Sequence, residues 1–245
     1  RDLTDAGKQV VISAQALLES ESDLKALRRL VDEAGCMLEA NDLGAVNLVN
    51  GQDFVAGPHL NIYNEATLAT YNRYGMKRWV PPLEGSRALI ETLHKSRPEG
   101  VETEVFVFGK IPLAFSARCF TARHYDLNKD DCQFKCLDHS EGLTLKTREG
   151  QEFLTINGIQ TMSAQSYNLL HEIPDMLAMG IDIIRISPQK QHINQIISAY
   201  DTARCGQAVN VDNSAWSNSG LVDGYWFGDA GIVQHHSQAL TQLGA

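Results

Sequence analysis

Short apolar runs, many of them β-branched, alternate along the chain with stretches whose apolar residues recur at helical spacing, one unit every 20 to 30 residues or so. This is the pattern of βα repeats around a parallel sheet. "KQVVIS" (8–13) predicts a strand, and "AQALLESESDLKALRRLVDEAG" a helix with Leu17, Leu18, Leu24, Leu27, Leu30 and Val31 on its apolar side and Gly35 at its end. "CMLEA" (36–40), "FVAGPHLN", "RWVPP" and "VETEVFVFG" (101–109) read as strands, with helices over "EATLATYNRYG" and "SRALIETLHKS". Further on, "QEFLTINGIQTM" reads as one strand and "SYNLLHEIPDMLAMG" as a helix capped by Gly180; "IDIIRIS" reads as a strand and "KQHINQIISAYDTA" as a helix. About seven strands with intervening helices predict an α/β fold, an incomplete or distorted βα (TIM-like) barrel whose first unit precedes Arg1. An open doubly wound sheet is the alternative, and no G-x-G-x-x-G follows a strand to support it. From Arg204 the period fades into Asn, Ser, Gly and aromatics, so the expected organisation is a barrel-like domain over 1–203, with a loop at 116–140, and an irregular C-terminal segment over 204–245 packed on it.

Composition agrees with a folded chain: 43% of the 245 residues are hydrophobic, 21% are charged, and no low-complexity run occurs. The longest apolar runs fall far short of the roughly 20 residues a membrane helix needs. A net charge of -9 disfavours phosphate tracking, because nucleic-acid affinity rests on Lys and Arg, and it disfavours anionic membrane surfaces equally. The opening "RDLTDAGKQVVIS" reads as the end of a helix running into a strand, which predicts a preceding N-terminal portion. Five cysteines are an odd set for a disulfide framework in a domain of this size. They point to reduced thiols and a cytoplasmic setting.

Three of those cysteines lie in "SARCFTARHYDLNKDDCQFKC" (116–136), a polar stretch with no hydrophobic period. Cys119, Cys132 and Cys136 are spaced C-x12-C-x3-C after the strand ending at 109, which in a parallel barrel places them at the C-terminal face of the strands. Thiolates on irregular backbone can converge on an iron–sulfur cluster, and Arg118, Arg123 and Lys129 would stabilise them. A zinc site of three Cys with His124 or His139 is the rival, and spacing alone leaves the two open. Cysteine is often only a small buried hydrophobe, but Asp130, Asp131, Gln133 and Lys135 make this segment poor core material.

"GKIPLAFSARCFTARHYDLNKDDCQFKC", with "LEANDLGAVNLV", "FVAGPHLNIYN", "RWVPPLE" and "FLTINGIQTMS", resembles the collagenase-like peptidase family, family U-32, collinearly from about Gly7 to Ala203. The resemblance is to its ubiquinone-biosynthesis branch. It implies a barrel-like fold with a four-iron, four-sulfur cluster, and a heterodimer with a UbiU-like partner that hydroxylates a ubiquinone precursor without oxygen, prephenate being the implied oxygen source. Cys119, Cys132 and Cys136 match three of the family's cluster ligands; the fourth is expected in a segment preceding Arg1. Cys36, which begins a strand, and Cys205, in the divergent tail, are read as non-ligands. Other activities in view are RNA hydroxylation, as by other family members, a zinc-stabilised binding module, and peptidase action.

Glu39 and Asn41, His59 and Asn61, Glu84, and Asn157 and Gln160 sit at predicted strand ends, where a barrel places substrate contacts. Each could instead cap a helix or satisfy backbone groups. Arg185, a charge inside the apolar "IIRIS", could bind a carboxylate bidentately or pair structurally with Glu39 or Glu104. No G-x-S-x-G or H-E-x-x-H supports hydrolysis, the His235–His236 pair lacks helical ligand spacing, and no third cysteine completes a radical-SAM motif. Trp216, Tyr225, Trp226 and Phe227 are read as core, with a partner surface as the alternative.

Overall fold

The computed structural model describes residues 2–33, 35–49, 51–128 and 131–236. Its residues cluster into two compact units: 1–82, 88–105 and 181–183 in the first, 83–87, 106–180 and 184–245 in the second. No helix among the described residues is long and apolar enough to cross a membrane.

The first unit follows the βα pattern. Helix α1 (Asp2–Asp5) leads to β1 (Val11–Ser13), α2 (Glu21–Glu33), β2 (Met37–Ala40), α3 (Leu43–Val49), β3 (Phe54–Ala56), α4 (Glu65–Arg73) and β4 (Met76–Trp79). Helix α5 (Arg87–Ser96) then leads to β5 (Glu102–Phe115). Strands β1 to β5 pair in sequence order and all in parallel. This is the α/β architecture of an incomplete TIM-like βα barrel. Leu38, Ala40, Phe54, Ala56, Met76 and Trp79 share one core with Leu27 of α2, Val46 of α3, Leu68 of α4 and Leu93 of α5. Because side chains alternate along a strand, the register Ser13↔Glu39↔Val55↔Arg78↔Glu102 defines the opposite face, and that face is largely polar.

In the second unit the parallel expectation fails. Strand β5 continues past Gly109 to Phe115, and its later half pairs antiparallel with β8 (Gln160–Asn168). β8 pairs with β7 (Glu152–Asn157) and β7 with β6 (Leu143–Lys146), both antiparallel. The stretch read as one strand over 151–162 is therefore a hairpin whose turn is Gly158–Ile159, with Gly158 in the left-handed region at φ 62°. Helix α7 (Ile173–Met179) ends on Gly180 at φ 80°, as expected, before β9 (Ile183–Ile186) and α8 (Ile193–Arg204). Much of residues 205–236 is irregular, but β10 (Leu221–Val222) adds to β8 in parallel, and Trp216 and Trp226 are buried to 2% and 1% exposure, as core material would be. Phe227 stays exposed.

Candidate functional site

On the polar face of the first unit, at the C-terminal ends of β1 and β2, Glu39 and Asn41 are both buried at 4% exposure. Ser13 Oγ donates to Glu39 Oε1 at 3.0 Å, and Asn41 Nδ2 reaches Glu39 Oε1, Ser13 Oγ and the Ala14 carbonyl at 3.1, 3.0 and 3.2 Å. The carboxylate is thus oriented by two side chains from neighbouring strand ends. Asn41 Oδ1 has no hydrogen-bond partner among the described residues and lies against Gly57, where an added Cβ would sit 2.1 Å away. Gly57→Ala is therefore expected to push Asn41 off Glu39 and cost about 1–3 kcal/mol, as overpacked sites do, read as a drop in the urea midpoint. An unchanged midpoint would show that Asn41 can move freely.

His59 follows β3 in a single 3-10 turn, Pro58–Leu60, and is half-buried. Asn61 is exposed and left-handed, at φ 55° and ψ 52°, and ends that turn, so its position is explained by chain reversal. Sequence reasoning missed Arg78. It is 5% exposed, and its guanidinium meets Gln9 Oε1 at 2.6 Å, Glu102 Oε2 at 2.9 Å and Glu104 Oε2 at 3.1 Å. Little in the sequence signalled it, since Arg78 stands beside the exposed Lys77 in Met76–Trp79 and its buried partner Glu104 is 26 residues away.

In the second unit the cysteine segment joins β5 to the antiparallel hairpins, not to a parallel barrel strand. Its start is tied to the β7–β8 turn: Ser116 N donates to Ile159 O at 2.9 Å, Phe120 N to Gly158 O at 2.8 Å, and Gly158 N to Thr121 Oγ1 at 3.1 Å. Asn157 and Gln160 close that same turn, so they flank the tie at a hairpin tip, not a barrel strand end. Cys119 caps the short helix α6 (Phe120–His124), its Sγ accepting from Ala122 N at 3.4 Å. Cys132 precedes Gln133 and Phe134, both left-handed, and Cys136 lies in the 3-10 helix Lys135–Asp138.

All three thiols are free and half-buried. Reduced sulfurs gathered in one irregular loop are the donor chemistry an iron–sulfur cluster takes. The structure does not bring them to a common point, for among the described residues no three Cys, His, Asp or Glu converge as a metal site. Lys129 and Asp130 lie outside the described residues. Glu84 is exposed in the turn after β4, and Arg185 is half-buried in β9.

A second group in this unit gathers His171, Glu172, Asp223, Asp229, His235 and His236. His171, Asp223 and His236 border a cavity of about 320 Å³, shared with Asn168, Asp212 and Gln234. His235 Nδ1 lies 3.1 Å from Asp223 Oδ1 and Nε2 lies 2.9 Å from Asp229 Oδ2. Carboxylate oxygens only accept, so satisfying both contacts requires the imidazolium. Its pKa is accordingly raised, chiefly by the hydrogen bond to Asp223. His171 is pushed the other way, by burial and then by the adjacent His236 ring.

A raised folded pKa means that the contribution of His235 is complete below its ordinary value of 6.5 and is lost as pH climbs through the raised one. The lowered value of His171 acts oppositely, removing stability as pH falls below 6.5. Because the two groups oppose each other, the difference is what decides: the margin of the wild-type thermal midpoint over that of His235→Gln should shrink as pH climbs above 6.5. A margin that does not change with pH would assign no such role to His235.

The profile of peptidase family U32 matches residues 2–215. The chain belongs to this family. Among curated proteins, the tRNA hydroxylation protein P1 of Bacillus subtilis (strain 168) is 27% identical over 152 residues, 59% of this chain and 35% of that protein. The U32 chain thus aligns with only about a third of that relative's length. No solved structure matches it at the same stringency. Within this U32 chain, the residues with chemical potential are the Ser13–Glu39–Asn41 group, the cysteine loop, and the histidine group at 171 and 235–236.

Proposed function

We propose that this U32 protein is an iron–sulfur subunit of an oxygen-independent hydroxylase of ubiquinone biosynthesis, of the UbiV type, acting in the cytoplasm as a heterodimer with a UbiU-like partner. The observation that carries this reading is the placement of Cys119, Cys132 and Cys136, reduced and half-buried, within one loop of a U32 chain. These three thiolates would hold a four-iron, four-sulfur cluster. Such a cluster supplies one-electron chemistry when bound.

The chain's own residues would bind and orient. The Glu39 carboxylate, fixed by Ser13 and Asn41, is an acceptor suited to a phenolic hydroxyl of the ubiquinone precursor. His59 and Asn61 in the same unit are further substrate candidates, as are Glu84, Asn157 and Gln160 in the other. Arg185, half-buried in β9, is a further candidate, since a guanidinium pairs bidentately with a carboxylate such as that of prephenate.

The name of the Bacillus subtilis relative favours a second reading, hydroxylation of tRNA. The charge of -9 weighs against it, because phosphate contacts dominate RNA affinity. One experiment separates the two. The complete gene, with its partner, is expressed without oxygen in a host lacking its own oxygen-independent hydroxylation factors, and quinones and tRNA nucleosides are analysed by mass spectrometry. Restored ubiquinone supports the first reading; hydroxylated nucleosides with no gain in ubiquinone overturn it in favour of the second.

A further inference from the structure

The cavity of about 320 Å³ lies wholly within the second unit, where strands β8 and β10 end. Asn168, Leu221 and Asp223 border it, each at most 9% exposed. β10 runs parallel to β8 in the register Leu221↔Ser166 and Val222↔Tyr167, which carries Asp223 alongside Asn168. Because side chains alternate along a strand, Leu221 shares a face with both. The fold does not use up either polar group. The Tyr200 hydroxyl lies 2.8 Å from Asn168 Oδ1 and 2.8 Å from the Val107 carbonyl, and it accepts from Leu169 N at 3.1 Å. It has one proton to give, and whichever oxygen takes it, the far end of the buried Asn168 amide meets no partner among the described residues. On Asp223, the backbone N–H and Nδ1 of His235 both fall on Oδ1, at 2.7 and 3.1 Å, so Oδ2 is left without a partner among the described residues.

We propose that this cavity is a binding site for a neutral small molecule carrying hydroxyls on two adjacent carbons. The lining decides the class. Among the described residues no Lys or Arg borders it, whereas Asp212 and Asp223 do, so a phosphate or carboxylate would meet carboxylates and no cation from Lys or Arg. The two imidazoles on the border do not change this. His236 Nε2 is engaged by Glu172 Oε1 at 2.7 Å, and burial with the adjacent His236 ring holds His171 toward its neutral form. The His235 ring already balances the charge of Asp223 at Oδ1, which leaves Oδ2 as an acceptor and favours a hydroxyl over an ammonium. A carboxylate accepts from one hydroxyl while an amide donates to or accepts from its neighbour, so Asp223 and Asn168 side by side complement a vicinal diol. Leu221 supplies apolar surface for the C–H groups, and the volume suits a small ligand. The cavity shares no residue with the cysteine loop or the Ser13–Glu39–Asn41 group, so the proposal does not rest on the hydroxylase reading.

Two sources carry such a diol, a free sugar and the ribose of a nucleoside, and the test separates them. Protein from the complete gene, with its leucine methyls labelled for NMR, is titrated with D-glucose and with adenosine. Each is paired with a counterpart that lacks the diol, tetrahydropyran-2-methanol for the first and dideoxyadenosine for the second. Titration to about 10 mM covers a Kd near 1 mM. Movement of the Leu221 methyl signals by glucose supports a free sugar; movement by adenosine alone supports a nucleoside. In either case the diol-free counterpart should bind about ten-fold more weakly or worse, because a site built to hydrogen-bond a hydroxyl rejects the analogue without it. Asp223→Asn and Asn168→Ala, checked for wild-type circular dichroism, should each weaken binding about ten-fold. Leu221 signals that neither diol moves would overturn the proposal. So would equal binding of a diol-free counterpart, movement caused by inorganic phosphate, or a folded Asp223→Asn that binds like wild type. Should Asp223→Asn not fold, the wild-type comparison of each diol with its counterpart still decides.

Discussion

Replacing Cys119, Cys132 or Cys136 by alanine is expected to remove the visible absorption of anaerobically prepared protein and to lower retained iron at least ten-fold or so, since losing a ligand should exceed the loss from disturbing a neighbour of one. The fold should barely notice. The thiols are half-buried, and Cys119 Sγ accepts a 3.4 Å contact from Ala122 N. Far-ultraviolet circular dichroism and the urea midpoint should stay near wild type, which separates lost ligation from lost folding. Cys36→Ala and Cys205→Ala serve as controls and should keep their iron. Stoichiometric zinc without acid-labile sulfide in the wild type would sink the cluster, and iron loss in the Cys36 control would reassign a ligand.

The largest effect on stability is expected at Arg78. Its side chain is 6% exposed, that of Glu104 is 7%, and the two meet at 3.1 Å. Arg78→Met would leave the Glu104 carboxylate buried without its guanidinium and also release Glu102 and Gln9, a loss of about 3–5 kcal/mol by analogy with broken buried pairs. The double variant Arg78→Met with Glu104→Leu should recover most of that loss, because two apolar side chains can replace a buried ion pair at little cost. Urea unfolding at constant slope measures both. If the single change costs under about 1 kcal/mol, water or another cation must reach Glu104.

The first unit was legible because its strands are short apolar runs bounded by turn residues, and parallel βα repeats announce themselves by alternation. The second was harder. The reading of "VETEVFVFG" ends the strand at Gly109, and "GKIP" does carry two residues that weaken strands. Yet Gly109 sits in the sheet at φ 126°, and Pro112 falls at shifts in the β5–β8 register, where a strand tolerates proline. The hairpin was hidden in plain letters: "NG" at 157–158 between apolar runs is a strong turn signal, outweighed here by the continuous look of "FLTINGIQTM". β6, in "LTLK", is too short and polar to stand out.

At the site, the cysteine spacing was readable because it is local. Arg78 with Glu104, Tyr125 with His139, and His235 with Asp223 and Asp229 were not, for each joins residues whose separation follows no helical or strand period. The histidine pair at 235–236 lacks helical ligand spacing. Its actual partners are carboxylates, which no spacing rule would select.

Strand β5 also sets an order of events on the ribosome. Its first half can pair with β4 as soon as it emerges, whereas Phe115 must await Gln160, some 45 residues later. At synthesis rates of about 5–20 residues per second, that is a delay of roughly 2 to 9 s. During it, half a strand offers an open edge to any other nascent chain, and the loop thiols leave the ribosome before the turn at 158–159 that tethers their loop. A cell that makes this protein has reason to keep a chaperone on that edge until the hairpin has closed.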